Sequence, residues 1–222
     1  TDYTDGSGVV DDIVISAGST TATVSFTPTD DSIYDAASNE TATIAISSVS
    51  GGSATENGTQ AITITITDNE SAPTVTLTST ASSIDENSSS TVTVTATLSV
   101  ATFQDVTVSI DGTGGTGTEG TDFGTVSDIT ISAGNTTGTA TVDPTDDSVY
   151  EGNETAGISI SGVSGGGASE SGSQSVTITI TENESAPTVT LTVSATSIAE
   201  NAGSSLTLTA TLSGASDEAV TV

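Results

Sequence analysis

The chain has 222 residues; 29 are Asp or Glu, none is Lys, Arg or His, the formal charge is -29, and Cys, Met and Trp are absent. No ion pair between side chains can form. Nucleic acid and anionic membrane surfaces are disfavoured as partners, because phosphate recognition rests on Lys and Arg, and disulfides, Cys/His zinc centres, haem ligation and catalysis by His, Cys or Lys are excluded.

A hydrophobic fraction of 32% beside so high a charge leans toward disorder, but the order of the residues says otherwise. From the N-terminus, "ISAG" (Ile15–Gly18), "PTDDSIY" (Pro28–Tyr34) and "TDNE" (Thr67–Glu70) return as "ISAG" (Ile131–Gly134), "PTDDSVY" (Pro144–Tyr150) and "TENE" (Thr181–Glu184). "SAPTVTLT" (Ser71–Thr78) and "TATLS" (Thr95–Ser99) return at Ser185–Thr192 and Thr209–Ser213. The spacing is 114 residues, or 116 from Ile15 to Tyr34, since the first copy carries two extra residues before Asn39; it also carries four extra between Tyr3 and Ile15. The domain reading is therefore the C-terminal half of a repeat at 1–70, a complete repeat at 71–184 and the N-terminal half of another at 185–222.

In the complete repeat, apolar residues alternate with Thr and Ser at Val75/Leu77, Val92/Val94/Ala96/Leu98 and Val106/Val108/Ile110. The alternation resumes at Ile129/Ile131, Ala140/Val142, Ala156/Ile158/Ile160 and Val176/Ile178/Ile180. Seven short strands with solvated outer faces predict an all-β fold: tandem seven-stranded antiparallel immunoglobulin-like β-sandwiches with aliphatic cores. The runs Gly112–Gly120 and Gly162–Gly172 read as loops; the first lacks the Lys and the strand–helix context of a phosphate loop. "NESAP", with Pro73 or Pro187, is a short stiff link favouring a rod.

The carboxylates gather at strand ends, where a sandwich brings distant loops together. Clustered without a cation, they repel and raise one another's pKa. Ca2+, which accepts six to eight oxygens in loose geometry, relieves this better than Mg2+ with its octahedral demand. The bland alternative is a set of solvated turn residues; recurrence in two copies and the lack of organic cations favour calcium.

The string "GTDF…ITISAGNTTGTATVDPTDDSVYEGNETAGISIS…VTITITENE" resembles a Calx-β domain. The resemblance implies a calcium-binding sandwich of the kind found in large surface proteins. It implies as ligands Glu86, Asp122, Asp146, Asp147, Glu151, Glu154, Glu182, Asn183 and Glu184. In the first copy the matching positions are Asp2, Asp30, Asp31, Asp35, Glu40, Asp68, Asn69 and Glu70, and Glu200 matches the early Glu in the C-terminal fragment. The usual acidic triplet is diluted here to "ENE" and "DNE", and Ser32 and Ser148 interrupt the acidic run.

Asn39, Asn57, Asn69, Asn87, Asn135, Asn153 and Asn183 stand in N-x-S/T, a sequence that arises by chance in so Ser/Thr-rich a chain. Tyr3, Tyr34, Phe123 and Tyr150 adjoin the proposed ligands and read as core packing. The carboxylate pairs suggest no substrate cleft, and the chain reads as no enzyme. The expected function is a secreted, calcium-stiffened structural repeat protein, a surface filament or an adhesin stalk. A regulatory calcium sensor is the second reading, and an adhesin tip is disfavoured by the lack of aromatic platforms. No membrane insertion is expected. The expected partners are calcium and copies of the chain, joined head to tail in a covalent array or by strand complementation. In that register Val189–Val193, Leu206–Leu212 and Ala219–Val222 supply strands missing from residues 1–70, and Glu200 approaches Asp2, Asp30, Asp31 and Asp68 of a neighbour.

Overall fold

The computed structural model describes residues 10–35, 40–201 and 203–222, with Glu40 described in its backbone only. The first segment contributes β1 (Ile33–Tyr34), β2 (Glu40–Ala45) and β3 (Ala61–Ile66). The complete repeat begins with β4 (Thr74–Ser79), β5 (Ser83–Asp85), β6 (Val92–Leu98), β7 (Ala101–Thr102), β8 (Val106–Asp111) and β9 (Ile129–Ile131). It continues with β10 (Thr137–Val142), β11 (Val149–Tyr150), β12 (Glu154–Ser164), β13 (Ser169–Glu170) and β14 (Ser175–Thr181). The last segment holds β15 (Val189–Val193), β16 (Leu208–Leu212) and β17 (Ala215–Ser216). Among the described residues there is no helix.

Residues 71–184 form a sandwich of two sheets, ordered β10-β6-β4-β13 and β5-β14-β12-β8-β9. All seven strands expected from the alternation are present and antiparallel to their main partners. Two short strands add parallel edges that the alternation does not announce: β13 on β4 and β5 on β14. The period of two places Val92, Val94, Ala96 and Leu98 of β6 inside and its Thr residues at the outer face. Opposite them lie Val106, Val108, Ile129, Ile131, Ile158 and Ile178, around a wholly buried Phe123. Each such aliphatic side chain contributes roughly 1.5–3 kcal/mol on burial.

The two glycine runs differ from the loop expectation in instructive ways. At the second, β12 continues through Gly162 to Ser164 after a register shift between Ile160 and Gly162, pairing with β8, and Ser169–Glu170 form β13. The extra residue of a bulge lets the strand bend and still pair. The first run lies flat on β12: Gly114 N donates to Gly157 O at 3.2 Å and Gly117 N to Thr155 O at 3.1 Å. A Cβ at Gly115 would fall 1.7 Å from Thr155 O, and one at Gly157 2.4 Å from the Gly114 carbonyl carbon. Backbone rests on backbone, so side chains are excluded.

The end segments follow a simple rule. In the complete repeat, β4–β6 lies within the first half and β12–β14 within the second. Their counterparts form in the end segments as β15–β16 and β2–β3, in matching registers. Every other ladder of the sandwich joins the two halves, and its counterparts do not form. Ile13–Ile15, matching β9, and Thr21–Phe26, matching β10, are in no strand, nor are Ala219–Val222, which match the start of β8. The apolar faces are correspondingly open: Leu77 is 6% exposed and its counterpart Leu191 63%; Val75 is 0% exposed and Val189 41%.

Consecutive repeats also touch. β1 pairs in parallel with β7, Ile33 with Ala101 and Tyr34 with Thr102, and β11 pairs in the same way with β17, Val149 with Ala215 and Tyr150 with Ser216. Of the aromatic residues expected in the core, Phe123 is there, whereas Tyr34 lies against Gly167 of the following repeat. Tyr3 lies outside the described residues.

Candidate calcium site

Four loop segments and one strand start deliver the carboxylates to one pole of the complete repeat. Glu86 follows β5, whose parallel pairing with β14 fixes it; Glu86 N donates to Thr181 O at 3.0 Å. Asp122 sits where the glycine run leaves β12, its Oδ2 accepting from Thr118 N at 2.6 Å. Glu151 ends the β11 turn, Glu154 opens β12, and Glu182 and Glu184 follow β14.

These residues form two triads, Glu86–Glu182–Glu184 and Asp122–Glu151–Glu154, each with one carboxylate oxygen per residue lying within 4.8 Å of the others. Glu86, Asp122, Glu151, Glu154 and Glu182 line a single depression, floored by Ile180. Glu182 is the hinge between the triads. Its Oε2 accepts from Glu151 N at 2.6 Å and Gly152 N at 2.9 Å, while its Oε1 accepts from Glu184 N at 2.9 Å.

The electrostatics record the crowding. Burial, with repulsion from Glu182 and Glu184, pushes the Glu86 carboxyl up to about 7 despite the N–H of Asp147. Burial and the neighbouring Asp122 push Glu154 up to about 7 as well. Glu151 is raised by burial and then by Asp122, Asp147 and Asp217, and Glu184 by burial and then by Glu182. Glu182 goes the other way, to about 2: burial opposes its charge, but the N–H groups of Glu151, Glu184 and Gly152 outweigh it.

The remaining expected ligands support the triads. Asp147 N donates to Glu86 Oε1 at 3.3 Å, and Asp147 Oδ1 accepts from Val149 N at 2.6 Å. Asp146 Oδ1 accepts from Asn183 Nδ2 at 3.1 Å. One residue was not legible from the repeat pattern: Asp217, on the repeat that follows, contributes to raising both Glu151 and Glu154. Its repeat counterpart is Phe103, so comparing the copies hides it.

The first copy has the same scaffold. Asn69 Nδ2 donates to Asp30 Oδ1 at 3.0 Å, Ile33 N to Asp31 Oδ1 at 2.8 Å and Asp35 N to Asp68 Oδ2 at 3.0 Å. Glu70 N donates to Asp68 Oδ1 at 3.1 Å. These N–H groups lower Asp68 against the effect of burial, while the Asp68 carboxylate raises Glu70. No triad forms among the described residues of this copy. Glu200 is exposed and joins no cluster. Asp2 and the Glu40 side chain lie outside the described residues.

The donor set fits calcium. It is all oxygen, it converges from separate loops, and Glu184 Oε2 is buried without a hydrogen-bond partner, an orphan that a hard cation satisfies. The absence of Cys and His leaves soft metals nothing to bind.

The Calx-beta domain family matches residues 1–70 and 68–184. Among solved structures, the chain is similar to that described as the crystal structure of the apo-form Calx CBD1 domain. The identity is 19% and the TM-score 0.42, over 50% of this chain and 99% of that one. Among curated proteins there is no match.

Proposed function

The chain belongs to the Calx-beta domain family of calcium-binding β-sandwiches, and from that premise we propose that it is a calcium-stiffened structural repeat protein of the cell exterior, a filament or stalk. One observation carries the reading: two carboxylate triads meet at the pole where the next repeat begins, five of their six residues line one depression, and the sixth, Glu184, holds the orphaned Oε2. Glu86, Glu182 and Glu184 would hold one ion, and Asp122, Glu151 and Glu154 another. Calcium supplies there the positive charge that no side chain of this protein can. Asp217 faces the second triad from the neighbouring repeat, so occupancy bears on the joint.

Head-to-tail association of copies is part of this reading. The hairpins β2–β3 and β15–β16 match β12–β14 and β4–β6 of the complete repeat and leave their apolar faces open, which supports docking of one copy on the next. In that fit Glu200 of one copy takes the place of Glu86 beside Asp68 and Glu70 of the next.

The test is titration calorimetry with calcium, combined with melting in calcium and in EGTA. A ligand bound by the folded state alone raises stability by mass action. Two tight ions per complete repeat and a sharp fall in Tm on chelation are expected. An unchanged melting curve after thorough chelation overturns the reading.

A further inference from the structure

The joint between the first and second repeats has a specific construction. The Tyr34 carbonyl accepts from Phe103 N at 3.4 Å, and its ring lies against Gly167, at the end of the turn Gly165–Gly166–Gly167 of the second repeat. A Cβ at Gly166 would stand 2.7 Å from Thr102 Oγ1, and one at Gly167 2.7 Å from Tyr34 Cε1. Gly165 and Gly166 thus pack the turn onto their own repeat, against Asp105, Thr102 and Val106, and Gly167 leaves the seat for the ring. All three have positive φ, of 89°, 54° and 66°.

Both parts of this joint recur separately. Tyr150 repeats the projecting part: it pairs with Ser216 through β11 and β17, and its carbonyl accepts from Asp217 N at 3.3 Å. The seat recurs at Gly51–Gly52–Ser53, with φ of 85°, 60° and 56°. Its frame is the same. Ala54 N donates to Gly51 O at 3.1 Å, as Ala168 N does to Gly165 O. Gln60 N binds Glu56 Oε1 at 2.6 Å, as Gln174 N binds Glu170 Oε1 at 2.5 Å. Ser53 is the only described residue other than glycine with positive φ, a conformation L-residues rarely adopt. The fold holds the seat in shape even where glycine is missing, and that seat is exposed.

We propose that Tyr150 is the projecting half of a joint between molecules, and that its seat is the Gly51–Gly52–Ser53 turn of a second copy of this chain. The proposal rests on the head-to-tail reading above. It adds a difference between the two joints: the Ser53 side chain stands where Gly167 leaves room, so the Tyr150 ring cannot settle as closely as Tyr34 does. The joint between copies is the looser one.

The test uses the full chain in calcium, with the photoreactive tyrosine analogue p-benzoylphenylalanine at position 34 or 150, in equal mixtures of 15N-labelled and unlabelled molecules. Mass spectrometry maps the cross-links after irradiation, and sedimentation reports assembly. The probe at 34 should attach to residues 165–167 of its own chain, and the probe at 150 to residues 51–53 of a differently labelled chain. Ser53→Gly should tighten assembly several-fold and Ser53→Val weaken it. Assembly with the 150 probe mapping elsewhere, or indifferent to both substitutions, overturns the joint and leaves head-to-tail association standing. A chain that stays monomeric at every concentration overturns both.

Discussion

The backbone N–H of Asp147 reaches Glu86 Oε1 at 3.3 Å across 61 residues of sequence, so a group buried at the end of β5 is oriented by the acidic turn before β11. Glu86 is 7% exposed and its charge is opposed by burial and by Glu182. Glu86→Gln should therefore act with opposite signs. Without calcium at pH 7.5 it should raise Tm slightly, by removing a crowded charge. With calcium it should lower affinity by about 10–100-fold and so lower Tm. Calorimetry and melting with and without EGTA check both.

The pH dependence of the metal-free protein follows from the same groups. Glu86 and Glu154 titrate near 7 when folded, above the ordinary Glu value of 4.5. Between those values the folded state binds more protons than the unfolded one, so stability falls as pH rises from about 4.5 through 7. Glu182, held near 2, gives stability present above 4.5 and lost as pH falls through 2. Metal-free Tm should peak in mildly acidic solution. Calcium binds the deprotonated carboxylates, so its affinity should climb as pH rises through 7 and the ordering of Tm at pH 5 and 8 should reverse with the ion bound.

Hydrogen exchange on the full chain should separate equivalent hairpins. At low concentration β2–β3 and β15–β16 should exchange far faster than β12–β14 and β4–β6, because their apolar faces lie open. Protection of the outer hairpins should rise with protein concentration. Equal protection of inner and outer hairpins at every dilution would contradict the reading of the halves.

Gly157→Ala tests the contact that sets Asp122 in place. The new Cβ would meet the Gly114 carbonyl carbon at 2.4 Å, so the glycine run must lift from β12. Overpacking of this kind costs about 1–3 kcal/mol, and calcium should bind the Asp122 triad more weakly than the Glu86 triad. Separate fits to the two binding events distinguish this from a general loss of stability.

Most of the sandwich is legible in the sequence, because a period of two directs side chains to one face without outside help. Val92 to Leu98 announce β6 and its buried side by themselves. Thr21–Phe26 carry the same pattern and form no strand, since a strand needs a ladder and the counterpart of β6 belongs to the other half-repeat. The repeated acids mark the candidate site, and Glu86, Asp122, Glu151, Glu154, Glu182 and Glu184 converge there as two triads. Asp146 and Asp147 are less direct: turn acids accept nearby N–H groups readily, and these two hold Asn183 and Val149. Asp217 was hidden because a joint has no signature within one repeat.

The link from Thr181 to Val189 carries Glu182, Glu184 and Pro187. It also bears on folding partnership. The hairpin β15–β16 stands far nearer in sequence to β14 than β6 stands to β12, so proximity alone would let the wrong hairpin close on β12–β14 first. A proline-stiffened connection of this length resists the reversal that such closure needs. The same few residues that would hold the ion thus oppose the closing of β15–β16 on β12–β14, a contribution to folding fidelity separate from any binding.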